Sequence, residues 1–595
     1  MINKINNSRR SFLSQLSDAS GPAALSGLTF PFTEISGSRD GKKLLATTDY
    51  IDNVLINDHF MDKTQLHELN KQLASLGVSR HQWMVNPVWS MYEDYPRGFD
   101  LLEEAVKAAH ANGLEFFAVI KPFEGGATGN PLPHSFPFPQ NAPAVKDIRG
   151  IFPLARLFVA EHPDMCLKRR PGTFEFAGLV SAIRLVKGND SPTRIKKEHL
   201  TIFTSPTNNG FVEYNGPVSF RESVETRFRF PKWRQCRVLH LDDLEIPEDH
   251  KYILIKCALA DGNGDFSNEN GNILEIENAG GKTIPYILST GRVEPEDFRK
   301  SVYTSGPIAE VTRYLQLPEV QKEIKDPEQM AGHFKNFYSF DKYELTDWTT
   351  LDQQGFIAAA CGKPEYMLGN LHPIYPEVRE NWLELVRFCL DRGVDGINFR
   401  VANHTRLPDP WDYGFNEPVL EASGGKTDSP TISRINGDAY TQFLREAREL
   451  IKSRGKGLTI HLHAGMLIPD ERGRLPVLPP NFEWHWETWV REIGDEFHFR
   501  GSWTLRPWNL NKALDIFSTA TKKANKPLYF QSDFHSMTND EGRRQCKLQE
   551  VEFVKNYPGL DGFILYETAN YTQMNDNGEI EVKPYITEVL KSYFE

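Results

Sequence analysis

The chain has 595 residues, 39% of them hydrophobic and 25% charged, which suits a globular protein of more than one domain. Its formal net charge of −12 argues against a nucleic-acid binder, which normally presents a basic face. No apolar run reaches the ~20 residues of a membrane span, and six scattered cysteines without a CxxC exclude zinc-ribbon spacing.

The N-terminus holds Ser8-Arg9-Arg10-Ser11-Phe12-Leu13, which resembles a twin-arginine export signal. The segment behind it is broken by Gln15, Asp18, Ser20, Gly21 and Pro22, where a signal needs a continuous apolar region. Residues 1–30 are therefore expected to stand outside the fold. A working signal would place the protein in the periplasm or outside the cell, and otherwise it would be cytoplasmic.

A first strand is predicted around 53–57, with Asp58 and His59 at its end. Leu66, Leu69, Leu73 and Leu76 recur at helical spacing and stop at Gly77. A second strand, 82–88, ends near Trp89, and a second helix follows from 99 to 111. A third strand, 114–120, ends in Lys121-Pro122. This βαβαβ opening predicts a parallel sheet. The stretch 125–143 is then rich in Gly, Pro and Asn, a long loop of the kind that often serves function. From about 174 to 303, short alternating runs separated by turn residues predict an inserted β-sandwich of roughly 130 residues. A packing role is its plain reading, and a carbohydrate-binding module the sharper one.

The helical rhythm resumes, with 354–360 as an accessory strand beside the insertion. Helix 376–392 leads into a strand at 395–399 that ends in Arg400, Asn403 and His404. Later strands end at His461 and His463, near Trp503, at Asp533 and His535, and at Glu567. Strands near 54, 84, 117, 397, 460, 498, 529 and 564 number eight, which predicts a (β/α)8 TIM barrel with the β-sandwich inserted after strand 3. The expected organisation is residues 31–150 as the first part of the barrel, 170–305 as the insertion and 306–595 as the rest.

In such a barrel the strand ends converge on one mouth. Asp533 and Glu567, on the last two strands, fit the paired carboxylates of glycoside hydrolysis. Glu417, in Asn416-Glu417-Pro418, is a further acid candidate, although it also reads as a helix start. Glu487 is another candidate, in an aromatic-rich segment beyond the fifth strand. Trp89 and Trp503 would stack on sugar rings. Asp58, His59, Lys121, Arg400, Asn403, His404, His461, His463 and His535 would bind hydroxyl or anionic groups. His461-Leu462-His463 puts both imidazoles on one strand face, as a metal site would, with Asp533 to complete it. Hydrogen bonding to sugar hydroxyls suits the same pair, and no metal or cofactor is required.

Tyr375-Pro376-Glu377-Val378-Arg379, Val394-Asp395-Gly396-Ile397 and Tyr566-Glu567 resemble the glycosyl-hydrolase-like family ten, barrel proteins of polysaccharide-degrading bacteria. The likeness extends to the segments 414–419 and 437–441. It covers about 50–135 and 345–595, and not the insertion. It implies a carbohydrate-active barrel. Members of that set often carry an acid just after the Asp-Gly-Ile strand, and here Asn398-Phe399-Arg400 stands instead. The expected activity is hydrolysis of a poly- or oligosaccharide, with anionic glycans suited to the basic side chains. A non-catalytic carbohydrate-binding barrel and a metal-dependent hydrolase are the alternatives.

Overall fold

The computed structural model describes residues 42–49, 61–85, 99–123, 158, 162–172, 179–206, 212–229, 232–250, 252–259, 273–281, 356–361, 365–401, 410–469, 475, 477, 479–501, 507–532 and 540–594. Eight parallel strands close into a barrel: β1 (Lys43–Thr48), β2 (Arg80–Met84), β3 (Glu115–Ile120), β4 (Gly396–Phe399), β5 (Gly457–His463), β6 (Glu496–Gly501), β7 (Leu528–Ser532) and β8 (Gly562–Tyr566). Around the ring they lie in sequence order, with β8 hydrogen-bonded to both β7 and β1.

The first strand corrects the sequence expectation. The run 53–57 lies outside the described residues, and Lys43–Thr48 occupies that place in the barrel. Two threonines hid it, because Thr47 and Thr48 look like a polar ending but are buried. Leu44 and Ala46 face the helix layer, while Leu45 packs inward against Tyr529 and Ile564.

Among the described residues, the longer helices that follow the strands or pack on the barrel are α1 (Lys63–Ser75), α2 (Leu101–Ala111), α3 (Pro376–Asp391), α4 (Ser429–Ser453), α5 (Pro507–Lys523), α6 (Asp540–Asn556) and α7 (Pro584–Phe594). Their boundaries follow local chemistry. Asp62 opens α1 with a capping box, its carboxylate accepting from Gln65 N while the Gln65 side chain accepts from Asp62 N. Pro376 sits in the first turn of α3, where its missing N–H costs nothing. The buried faces, Leu66, Leu69 and Leu73 on α1 and Val378, Val386 and Cys389 on α3, join one core between helices and strands.

Between β3 and β4 the chain forms two four-stranded sheets. One has the order Phe356–Cys361, Tyr252–Cys257, Leu200–Ser205, Val212–Glu213, and the other Ile273–Asn278, Val180–Val186, Lys232–Asp242, Ser219–Arg229. Their facing residues, among them Ile183, Leu185, Ile253, Ile255 and Ile276, share an apolar core separate from that of the barrel. The strand Phe356–Cys361 belongs to the first of these sheets, antiparallel to Tyr252–Cys257. Cys166–Lys168 and Tyr366–Leu371, one leading into this region and one leading out, pair antiparallel.

The barrel lumen carries polar side chains at each level, beside inward apolar clusters of Leu45 with Ile564 and Met84 with Val119. At the N-terminal end Arg80 lies 3.7 Å over the Phe117 ring and pairs with Glu115 and Glu496. Gly396 and Gly457 make room there, since a Cβ on Gly396 would come within 2.3 Å of the Phe117 ring. At mid-height the Asn398 amide donates to Gln82 Oε1 at 2.6 Å and meets His498 Nδ1 at 3.1 Å. At the C-terminal end Arg400 Nη1 donates to the Tyr566 hydroxyl at 2.7 Å. That contact spans the lumen, since β4 and β8 stand opposite each other in the ring.

Candidate active site at the barrel mouth

Strand alternation selects the residues that face the lumen. Ile460 and Leu462 pack outward into the helix core, so His461 between them points inward. Phe499 and Phe530 are likewise outward, which turns Arg500 and Gln531 toward the lumen. Arg400 continues β4 past Phe399 and is 1% exposed. Its guanidinium and that of Arg500 lie 5.5 and 5.8 Å from the Tyr566 ring centre.

The structure brings several expected site residues together. His498, Arg400, His463 and Lys121 all act electrostatically on His461. Burial, reinforced by these neighbours, holds the His461 imidazole well below the usual histidine range. Its ring centre is 5.0 Å from that of His498. Neither nitrogen of His461 has a hydrogen-bond partner, although the residue is 4% exposed. His463, one step nearer the rim, accepts from Gly465 N at 3.0 Å and is half-buried.

Glu567 follows β8 directly and is half-buried. Its backbone, at φ 43° and ψ 114°, lies in a region that non-glycine residues avoid. Regular alternation would send its side chain into the helix layer, and the positive φ departs from extended strand geometry at this position. Glu567 and Asp49 both act on the Tyr566 hydroxyl, which burial drives well above the usual tyrosine range against the pull of Arg400. A buried chain of hydrogen bonds anchors the turn from behind: Asn70 Oδ1 to His81 Nδ1 at 2.7 Å, His81 Nε2 to Thr48 Oγ1 at 2.7 Å, and Thr48 Oγ1 to Thr568 Oγ1 at 2.8 Å.

Other expected residues fall elsewhere. Glu417 begins a short helix, Glu417–Ala422, with Asn416 at the N-cap. Its exposed carboxylate pairs with Lys168. Partial burial would raise the Glu417 carboxyl, but the Lys168 ammonium outweighs this and holds it below the usual range. Asn416 is structural, its side chain accepting from Lys168 N at 2.8 Å and donating to Cys166 O at 2.7 Å. Glu487 is exposed in the turn Trp486–Thr488, beside a Trp486 ring that packs edge-on against Phe517. Asp58, His59, Trp89, Asn403, His404, Trp503, Asp533 and His535 lie outside the described residues. Among the described residues, no group of three or more His, Cys, Asp or Glu side chains could hold a metal ion.

Asp49, Arg500, Gln531 and Tyr566 are mouth residues that sequence reasoning did not select. Asp49 had a signal: it closes the run Leu44–Thr48 as Glu567 closes β8.

Comparison with known proteins gives limited likeness. No family model matches the chain. Over 157 residues it is 29% identical to an oligo-1,6-glucosidase of Parageobacillus thermoglucosidasius, a match covering 25% of this chain and 24% of the relative. The chain thus spans about a quarter of the length of that relative. Among solved structures, the catalytic domain of the β-amylase from Paenibacillus polymyxa aligns over 93% of this chain and 98% of its own, at 9% identity and a TM-score of 0.24.

Proposed function

We propose that this protein is a glycoside hydrolase that cleaves a poly- or oligosaccharide at the C-terminal mouth of its barrel. The observation that carries this reading is Glu567. Its carboxylate closes a barrel strand, on a backbone turn at φ 43°, beside a lumen-spanning Arg–Tyr bridge. Strain of about 1–3 kcal/mol persists where surrounding structure over-determines it, which is typical of functional sites. The local likeness to a glucosidase supports the same chemistry.

Glycosidic cleavage needs two carboxyl groups, one to protonate the leaving oxygen and one to attack the anomeric carbon or activate water. Glu567 is one. Asp533 follows Ser532 at the end of β7, the neighbouring strand, and is its partner in this proposal. A separation of about 5 Å would give retention of configuration, and about 6.5–9.5 Å inversion. Lys121, Arg400, His461 and His463 hold the sugar beside the pair, and the cationic members favour an acidic glycan over a neutral one.

The test is release of reducing ends from a panel of neutral and acidic polysaccharides by the wild type and by Glu567→Gln and Asp533→Asn. Loss in both variants is expected, and unchanged turnover in both would remove this pair. Saturable glycan binding without new reducing ends would assign a non-catalytic binding barrel instead. Turnover abolished by a chelator and restored by a divalent metal would favour a metal-dependent hydrolase built on His461, His463 and Asp533.

A further inference from the structure

The inward face of the strands carries polar atoms that no protein group satisfies. Thr47 Oγ1, Gln82 Nε2, Asn398 Oδ1, His498 Nε2, Gln531 Nε2 and both nitrogens of His461 are buried without a hydrogen-bond partner. None of these residues is more than 4% exposed. They adjoin one another. Thr47 and Gln82 stand in register on β1 and β2, and so do His461 and His498 on β5 and β6. Asn398 on β4 links the two pairs, its amide nitrogen donating to Gln82 Oε1 at 2.6 Å and to His498 Nδ1 at 3.1 Å. The His461 and His498 ring centres are 5.0 Å apart with the planes inclined by 55°, and no hydrogen bond joins them. Gln531 is the next inward residue after Tyr529, whose ring centre lies 5.8 Å from that of His498.

These contacts decide what each orphan atom offers. Burial holds both imidazoles well below the usual histidine range, so near neutral pH each has one N–H and one lone pair. An amide nitrogen can only donate, so His498 Nδ1 accepts and its ring proton is on Nε2. Gln82 Nε2, His498 Nε2, Gln531 Nε2 and one His461 nitrogen are therefore donors. Asn398 Oδ1 and the other His461 nitrogen are acceptors. Donors outnumber acceptors, so these side chains cannot satisfy one another.

We propose that this layer of the lumen is a binding site for internal water, a small cluster shared by Gln82, Asn398, His461, His498 and Gln531. Water both donates and accepts, and a buried water makes about three hydrogen bonds to otherwise unsatisfied polar groups. A dry lumen would leave all of these groups desolvated and unpaired, a combined penalty that rivals the whole stability of a domain. Strand alternation gives the cluster its place. The next inward residue after Asn398 is Arg400, and the next after His461 is His463, so the water lies one layer beneath the mouth. It forms a hydrogen-bonding floor that keeps His461 and His498 neutral, paired and fixed in tautomer. The site needs no substrate and stands independently of the hydrolase reading.

The probe is water itself, followed by oxygen-17 magnetic relaxation dispersion on the full-length protein, which reports long-lived internal molecules. The variant is His461→Phe, which keeps a planar ring in the lumen and removes both nitrogens. The dispersion amplitude should fall in the variant by the equivalent of at least one water molecule. An unchanged amplitude would overturn the site, whatever the melting temperature does. A rise in melting temperature beside that unchanged amplitude would show that the two nitrogens had been dry, since removing unsatisfied buried groups stabilises. Should His461→Phe fail to fold, the wild type decides the matter alone. A high-resolution crystal structure should show solvent density within hydrogen-bond distance of His498 Nε2 and of a His461 nitrogen. A lumen without such density, or with an ion in its place, would overturn the proposal. Nitrogen-15 NMR of histidine-labelled wild type, with the His498 signals identified by their loss in His498→Gln, should place the His498 proton on Nε2. A proton on Nδ1 would contradict the donor and acceptor pattern on which the site is built.

Discussion

Replacing Glu567 once by alanine and once by glycine separates what its side chain does from what its backbone costs. Both substitutions remove the carboxylate and every contact it makes. They differ only in the Cβ. In ordinary extended or helical backbone the alanine variant would be the more stable, by ~0.5–1 kcal/mol, because glycine loses more freedom on folding. At φ 43° and ψ 114° the Cβ is itself the problem. A positive-φ conformation costs an L residue about 1–2 kcal/mol and glycine almost nothing. The two terms oppose each other, and the steric one is larger. Glu567→Gly should therefore exceed Glu567→Ala in stability by ~0.5–1 kcal/mol. Native-state hydrogen exchange at the amides of β8 and β1 reads the difference where it arises, because the barrel and the inserted sheets have separate cores. Protection in the glycine variant equal to or lower than in the alanine variant would refute the strain argument. Glycan hydrolysis is expected to vanish in both, and activity surviving in either would refute the catalytic role.

The chain Asn70–His81–Thr48–Thr568 makes a second prediction: Thr48→Val leaves His81 Nε2 and Thr568 Oγ1 without their shared partner, at a cost of about 1–3 kcal/mol in denaturant titration. If the chain positions Glu567, the same variant lowers kcat with little change in KM, and an unaltered kcat would limit the network to packing. Burial depresses His81 and His372 from 6.5 to about 3, and holds His461 and His498 well below 6.5. These folded-state values lie below the unfolded one, so the unfolded chain takes up protons first. The stabilisation is complete above about pH 6.5 and declines as the pH falls toward 3, by up to ~1.4 kcal/mol per pH unit for each histidine. A denaturation midpoint that does not move between pH 7.5 and 5 would contradict it. Glu417→Gln should leave hydrolysis within about twofold, because an exposed ion pair contributes at most ~1 kcal/mol and Glu417 is bound to Lys168. A loss as large as that of Glu567→Gln would return Glu417 to the acid role.

The barrel was legible where apolar alternation and helix caps agreed. The strand Gly396–Phe399, behind an amphipathic helix with Val378, Trp382, Val386 and Cys389 buried, needs no tertiary information to be found. The strand Lys43–Thr48 was not, because its last two residues are threonines whose burial depends on neighbours far along the chain, Thr48 on His81 and Thr568. Recurrent polar strand ends pointed to the mouth, and there Lys121, Arg400 and His463 act electrostatically on His461. The partnership of Arg400 with Tyr566 was invisible, since it joins positions on opposite strands and exists only once the ring is closed. Nor could a sequence show the positive φ of Glu567, because glutamate carries no local preference for that region. Glu417 misled for the opposite reason: Asn-Glu-Pro is also an ordinary helix start, and that is how Asn416 and Pro418 use it.

The lumen-spanning bridge explains why an arginine is workable just past the fourth strand. A guanidinium 1% exposed needs acceptors or counter-charge nearby. The Tyr566 hydroxyl supplies an acceptor without adding a charge, and Tyr566 in turn lies within the influence of Asp49 and Glu567. The cation and the two acids thus act on the same phenol. An acid at position 400 would instead face Asp49 and Glu567 across the phenol, and like charges would raise the cost of ionising all three.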